Sequence, residues 1–100
     1  MDQSHIAQAA EFLWRTRIEQ RRIEALPDHL RPRTLAEGYA IQDAMVASAA
    51  QPVSGWKIAA TSAAGQKHLG VDGPLAGPLL ANRVLADGAT APLDGNIMMV

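Results

Sequence analysis

The sequence predicts an α+β chain: two amino-terminal helices followed by the start of a mixed, strongly bent β-rich domain, incomplete within the 100 residues. Three observations lead there. Apolar side chains return every three or four positions through about residue 26 and again from Leu35 to about Ala50, the period of a helix with one inward face. From Val53 the texture changes to short strand-like pieces divided by glycine and proline. The last residues, Ile97-Met98-Met99-Val100, form an apolar run with no cap, turn or charged tail after it. An unpaired apolar terminal strand invites association, so the run predicts a chain that continues, the alternative being an edge strand pinned to its own sheet. The expected organisation is a helical region over 1–52 and the first part of a β-domain over 53–100.

In the first helix, Ser4 serves as cap and Ile6, Ala10, Leu13, Trp14 and Ile18 share a face, with the helix running to about Leu26. The opposite side interleaves Arg15, Arg17, Arg21 and Arg22 with Glu11, Glu19 and Glu24, the pattern of a solvated face with i,i+4 pairing. Pro27 and Pro32 bracket a loop. Thr34-x-x-Glu37 then has capping-box spacing, in which side chains satisfy orphan backbone donors at a helix start. The second helix carries Tyr39, Gln42, Met45, Val46 and Ala49 on one side, and Pro52 forbids its continuation. Beyond it, strand pieces are expected over Gly55 to Thr61, Arg83 to Leu85 and Ala89 to Ala91. A short helix falls over Ser62 to Leu69, with turns at Gly70, Asp72-Gly73, Gly77-Pro78, Asp87-Gly88 and Asp94-Gly95.

Composition narrows the function classes. Apolar residues make up 48% of the chain, but 19 of them are alanine, so few large side chains are left to build a core. Alanine buries little area, and a domain of this size hides only about two-thirds of its unfolded surface. A formal charge of −1 argues against nucleic acid as partner, since that binding draws on clustered Lys and Arg. A small molecule or a protein is the expected partner. The absence of cysteine excludes a disulfide framework and thiolate chemistry and fits a reducing, cytoplasmic setting. No stretch approaches the roughly 20 apolar residues of a membrane span, and the first residues lack the basic and apolar run of a secretion signal.

Chemistry is most legible in Gly55-Trp56-Lys57-Ile58-Ala59-Ala60-Thr61-Ser62. On a strand, alternation puts Trp56, Ile58 and Ala60 on one face and Gly55, Lys57, Ala59 and Thr61 on the other, leaving Lys57 among small neighbours. Such a lysine has room beside it for a ligand, and partial desolvation favours the neutral amine that proton transfer needs. The competing reading is a strand-edge lysine whose stem reaches water. A helix opening at Ser62 would aim the N–H groups of Ala63, Ala64 and Gly65 toward the end of that strand, an arrangement that attracts carboxylates. Thr61, Ser62 and Gln66 can add hydrogen bonds to an acidic substrate, or can serve local capping and turn bonding. His5, His29 and His68 are scattered, and Asp72, Asp87 and Asp94 each precede a glycine, as turn formers do.

Gly55-Trp56-Lys57-Ile58, Thr61-Ser62, Gln66 and Leu69-Gly70-Val71-Asp72 closely resemble the front motif of the 2-keto-4-pentenoate hydratases, within the fumarylacetoacetate hydrolase superfamily. Pro74-Leu75-Ala76-Gly77-Pro78-Leu79 has a counterpart there, as does, less specifically, the Gly38-to-Gln42 helix, so the resemblance covers most of the chain after about residue 35. It implies an incomplete β-domain of that superfamily's type and an enzyme that hydrates 2-hydroxypenta-2,4-dienoate-type substrates to 4-hydroxy-2-keto acids, in breakdown of aromatic compounds. It implies Lys57 as the proton-transfer or electrostatic group, Thr61, Ser62, Gln66 and Leu75 at the substrate, and a homo-oligomer when complete. A divalent Mg or Mn ion would act as Lewis acid on the substrate's carboxylate and 2-oxo oxygens. Its carboxylate ligands, a Glu-x-Glu motif and a later acidic residue in the family, are expected beyond Val100, with no metal bound by this chain alone and turnover by the isolated chain not expected.

Two departures from the family pattern bear on the reaction. Related hydratases often carry aspartate where this chain has Leu75, which removes a candidate acid/base partner. The glycine that commonly follows the Lys-Ile pair is Ala59 here. A 2-keto acid decarboxylase or C–C hydrolase of the same superfamily is the nearest alternative, and a non-catalytic truncated paralogue or assembly partner is the alternative from another class.

Overall fold

The computed structural model describes residues 1–96; the expected terminal apolar strand lies outside the described residues. Among the described residues the architecture is a small α+β chain with three α-helices and a two-stranded antiparallel sheet. The elements in order are α1 (Gln3–Ile18), a 3-10 turn at Asp28–Leu30, α2 (Leu35–Ala49), β1 (Val53–Ala59), α3 (Ala63–Leu69), β2 (Leu75–Leu80) and a second 3-10 turn at Ala81–Arg83. They fall into two compact units: Met1–Ala50 together with the segment from Asp87 onward, and Gln51–Ala86.

In the first unit α1 packs on α2 around Ala9, Ala10, Leu30 and Ile41, with Ile6, Phe12, Leu13, Ala44 and Met45 against them. The small Ala9-Ala10 pair lets the helices approach closely, and Leu30, carried by the 3-10 turn, fills the space beside them. The inward stripe of α2 therefore runs through Ile41, Ala44 and Met45; Met45 belongs to the face expected from sequence, whereas Ile41 and Ala44 do not. Asp2, not Ser4, caps α1: its carboxylate accepts the His5 N–H at 2.8 Å and also bonds the His5 ring at 2.9 Å. The His5 N–H holds that carboxyl below the usual range, with the nearby His5 ring adding to the effect.

The first helix ends eight residues earlier than its periodicity implied. It closes at Ile18 because Gln20 takes a left-handed conformation (φ 52°), while Arg21 N–H returns to Thr16 O and Gln20 N–H to Arg17 O, the paired bonds of a Schellman end. Ile18 is accordingly 62% exposed. Gly95 (φ 81°) approaches this end so closely that a Cβ there would stand 2.8 Å from Gln20 O. The Asp94-Gly95 turn expected from sequence is present, closed by Asn96 N–H to Leu93 O at 3.0 Å.

Thr34 caps α2 as the spacing predicted, accepting the Glu37 N–H at 3.2 Å. In the return half of the box Glu37 accepts the N–H of Arg33 at 2.6 Å, one residue before the cap, and the Thr34 N–H adds a weaker pull on the same carboxylate. Its other oxygen takes the Met1 amine at 3.0 Å. The Arg33 N–H, followed by the Met1 amine, lowers the Glu37 carboxyl below its ordinary value.

In the second unit β1 pairs with β2 in the register Gly55↔Leu79, Trp56↔Pro78, Lys57↔Gly77, Ile58↔Ala76 and Ala59↔Leu75, with an irregularity between Val53 and Gly55. Gly77-Pro78 is thus strand and not the turn its dipeptide signals. Pro78 is tolerated because each strand of a two-stranded sheet is an edge, so a missing donor can face away from the ladder. Arg83 to Leu85 and Ala89 to Ala91 form no strand; the former begins at the end of a 3-10 turn, where Val84 and Leu85 are exposed. Among the described residues no helix is long and apolar enough to cross a membrane.

Candidate functional site

Lys57 lies in the middle of β1, between Gly55 and Ala59 and across from Gly77. Side chains directly opposed across an antiparallel ladder share a face, so Lys57 stands with Gly55, Ala59, Leu75, Gly77 and Leu79. Leu79 Cδ1 would lie 3.6 Å from a Cβ at Gly55, as that shared face requires. The small neighbours expected from sequence are therefore present along the strand, and Gly77 adds a third across the ladder that spacing alone does not reveal. Lys57 is exposed, so the desolvation expected for it is not supplied by the described residues. It is also the one titratable residue in either strand.

Leu75 opens β2 opposite Ala59 and so belongs to the same face as Lys57. Trp56 and Ile58 occupy the other face and are 60% and 51% exposed. The expected alternation stops at Ala59, because Ala60 is left-handed (φ 55°) and turns the chain out of the sheet. Ala60 and Thr61 therefore do not continue the strand faces predicted for them.

Ser62 caps α3, its Oγ accepting the Gly65 N–H at 3.0 Å. That bond uses one of the three N–H groups expected to face a carboxylate. Gln66 donates from Nε2 to Ala60 O at 3.1 Å in a partly buried position. At the far end of α3, Gly70 (φ 71°) receives the chain in a Schellman closure, with Val71 N–H on Gln66 O at 2.9 Å and Gly70 N–H on Lys67 O at 3.3 Å. Ser62 and Gln66 thus both make local bonds, while Thr61 is exposed in the turn between strand and helix.

The structure brings Lys57 and Leu75 to one sheet face and joins Thr61, Ser62 and Gln66 through the turn that follows the same strand. Among the described residues no three His, Asp or Glu side chains gather into a group that could hold a metal ion. Asp72, Asp87, Asp94 and the three histidines supply no such group here. No protein-family description, curated protein or solved structure matches the chain. The family resemblance therefore rests on its motif residues alone.

Proposed function

We propose that the chain is the amino-terminal portion of a hydratase acting on 2-hydroxypenta-2,4-dienoate-type substrates, with an incomplete β-domain of the fumarylacetoacetate hydrolase type. The observation that carries the reading is the placement of Lys57 opposite Gly77 and between Gly55 and Ala59. A flexible ammonium standing over glycine and alanine has open space where a planar, conjugated acid can lie against the sheet.

In the proposed reaction the proton of the 2-hydroxyl leaves, a proton is delivered to the far carbon of the diene, and the dienol becomes a conjugated 2-keto acid. Water then adds, its hydroxyl to C4 and a proton to C3, giving the 4-hydroxy-2-keto acid. Lys57 steadies the negative charge that develops on the 2-oxygen and carboxylate, or passes the proton between oxygen and carbon. Thr61 adds a hydroxyl from the turn. Leu75 offers hydrocarbon on the same face, so among the described strand residues the proton traffic falls to Lys57. The divalent ion expected for this chemistry finds no ligand set among the described residues, and its ligands would belong to other parts of the protein.

The test is to express the complete reading frame containing these residues and follow loss of dienol absorbance, with the product identified by mass and NMR. Lys57→Met should lower kcat/KM by at least about 100-fold, the lower range for loss of a general acid or base. Retention of activity within about threefold would remove Lys57 from the chemistry. Release of carbon dioxide, or cleavage of a C–C bond, would move the protein to the decarboxylase or hydrolase alternatives.

A further inference from the structure

We propose that Gln66 is a positioning residue: its side-chain amide holds Ala60 in the left-handed turn and thereby fixes where Thr61 stands relative to Lys57. The role of the turn rests on the functional reading above, whereas the link between Gln66 and Ala60 stands on geometry alone.

Ala60 has φ 55°, a region that its Cβ disfavours and that alanine rarely occupies. Such a conformation persists only where its surroundings over-determine it. Here they do so in three ways. Gln66 Nε2 donates to Ala60 O at 3.1 Å, across six residues and in a partly buried position. Ser62 Oγ takes the Gly65 N–H at 3.0 Å and fixes the helix start two residues after Ala60. Gly65 packs beside the turn, where an added Cβ would stand in ordinary contact with Ala60 Cα at 3.5 Å and would press on Ser62 Oγ at 3.2 Å.

The bond has a consequence for the neighbouring residue. If β1 continued, alternation would return Thr61 to the face of Lys57 by strand period alone. Because Ala60 is left-handed, the place of Thr61 is decided instead by the torsions of Ala60, and Gln66 is the side chain that bonds the carbonyl leading out of them. The amide orientation is set by chemistry, since a carbonyl partner requires the nitrogen side of Gln66. Gln66 thus acts on a ligand at Lys57 through Thr61, without itself having to touch it.

The test compares Gln66→Leu, Ala60→Gly and the double substitution. On the 100-residue chain, the intraresidue HN–Hα NMR cross-peak of Ala60, strongest at positive φ, should weaken in Gln66→Leu, and the Thr61 resonances should move. Adding Ala60→Gly should return Thr61 toward its original resonances, because glycine holds a positive φ without a Cβ penalty. An Ala60 cross-peak unchanged in Gln66→Leu, or failure of glycine to restore Thr61, would overturn the proposal. In the complete reading frame, Gln66→Leu should lower kcat about tenfold or more with KM within about threefold, as expected for misplacement of a reacting geometry, and Ala60→Gly should recover most of it. A raised KM with no rescue would instead make Gln66 a direct ligand and overturn the proposal. A merely structural role would lower the melting temperature without that split. If the complete protein proves inactive, the functional reading fails, and the NMR comparison alone decides the role of Gln66.

Discussion

Gly88 and Gly95 share the same backbone torsion, φ 81°, but not the same surroundings. Around Gly88 there is nothing within 4 Å of a built Cβ, whereas at Gly95 that atom would stand 2.8 Å from Gln20 O, 2.9 Å from Gln20 C and 3.0 Å from Gln20 Cα. The pair therefore separates two costs that usually arrive together. Gly88→Ala incurs only the left-handed penalty, about 1–2 kcal/mol, offset by about 0.4–1 kcal/mol from the stiffer unfolded chain. A net loss of about 1 kcal/mol is expected. Gly95→Ala carries the same balance and must also move backbone away from backbone, for which overpacking costs of about 1–3 kcal/mol are usual. Its loss should be about 2–4 kcal/mol. Urea denaturation followed by far-UV circular dichroism measures both, since α1 and α2 supply most of the helical signal. Amide exchange of Arg21, whose N–H closes α1 on Thr16 O at 2.9 Å beside Gln20, reports whether the damage begins at the contact. Equal losses for the two alanine variants would mean that the turn at Gly95 does not rest on Gln20, and the reasoning would fail.

Two further outcomes test the helical unit. Ile41 is 3% exposed against Ala9, Ala10 and Leu30, and the flanking alanines have only a fixed methyl each and cannot refill a cavity, so Ile41→Ala should lose about 2–4 kcal/mol by urea denaturation; a loss under about 1 kcal/mol would contradict this core. Asp2 and Glu37 both have carboxyls lowered by backbone N–H bonds, so the unfolded chain binds more protons than the folded one near and just below the usual carboxylate range of about 4. Their contribution to stability is then complete above that range and is lost as pH falls through the lowered folded values. Urea midpoints taken at neutral, mildly acidic and strongly acidic pH should decline in that order, less steeply in Glu37→Gln; an unchanged slope in that variant would show that Glu37 is not a source of the dependence.

Where the sequence was readable, a specific side-chain bond or backbone constraint stands behind the signal. Thr34 and Ser62 announce their helices because each hydroxyl accepts the N–H three residues on, and Gly70 ends α3 because its φ of 71° is natural for glycine. The misreadings also have local causes. Gln20 ends α1 in a left-handed conformation that glycine or asparagine would have advertised, so periodicity alone carried the expected helix on toward Pro27. Gly77-Pro78 reads as a turn in isolation, but pairing with Lys57 and Trp56 keeps it extended at a sheet edge. Ala60 was unreadable for the same reason as Gln20: neither side chain announces a left-handed residue, and the bond that meets the Ala60 carbonyl comes from Gln66, six residues away.

That distinction changes how much each motif residue says about chemistry. Gly70 serves the Schellman closure, Ser62 the cap of α3, and Gly65 the tight packing beside Ser62 Oγ, which a Cβ would approach to 3.2 Å. A strand–turn–helix of this shape would keep those three residues whatever it bound, so their presence speaks for the local fold more than for a substrate. Lys57 is different. A solvent-exposed lysine in mid-strand contributes little to a two-stranded sheet, and neither the ladder nor the turn calls for an ammonium at that place. Thr61, exposed between the left-handed residue and the cap, is likewise not demanded by either neighbour. On the proposed function, the chemical content of the motif would be concentrated in Lys57 and Thr61, with Leu75 on the same face as Lys57. Substitutions there should change function with little change in folding, whereas substitutions at Ser62, Gly65 and Gly70 should act first through the turn and helix that carry the site.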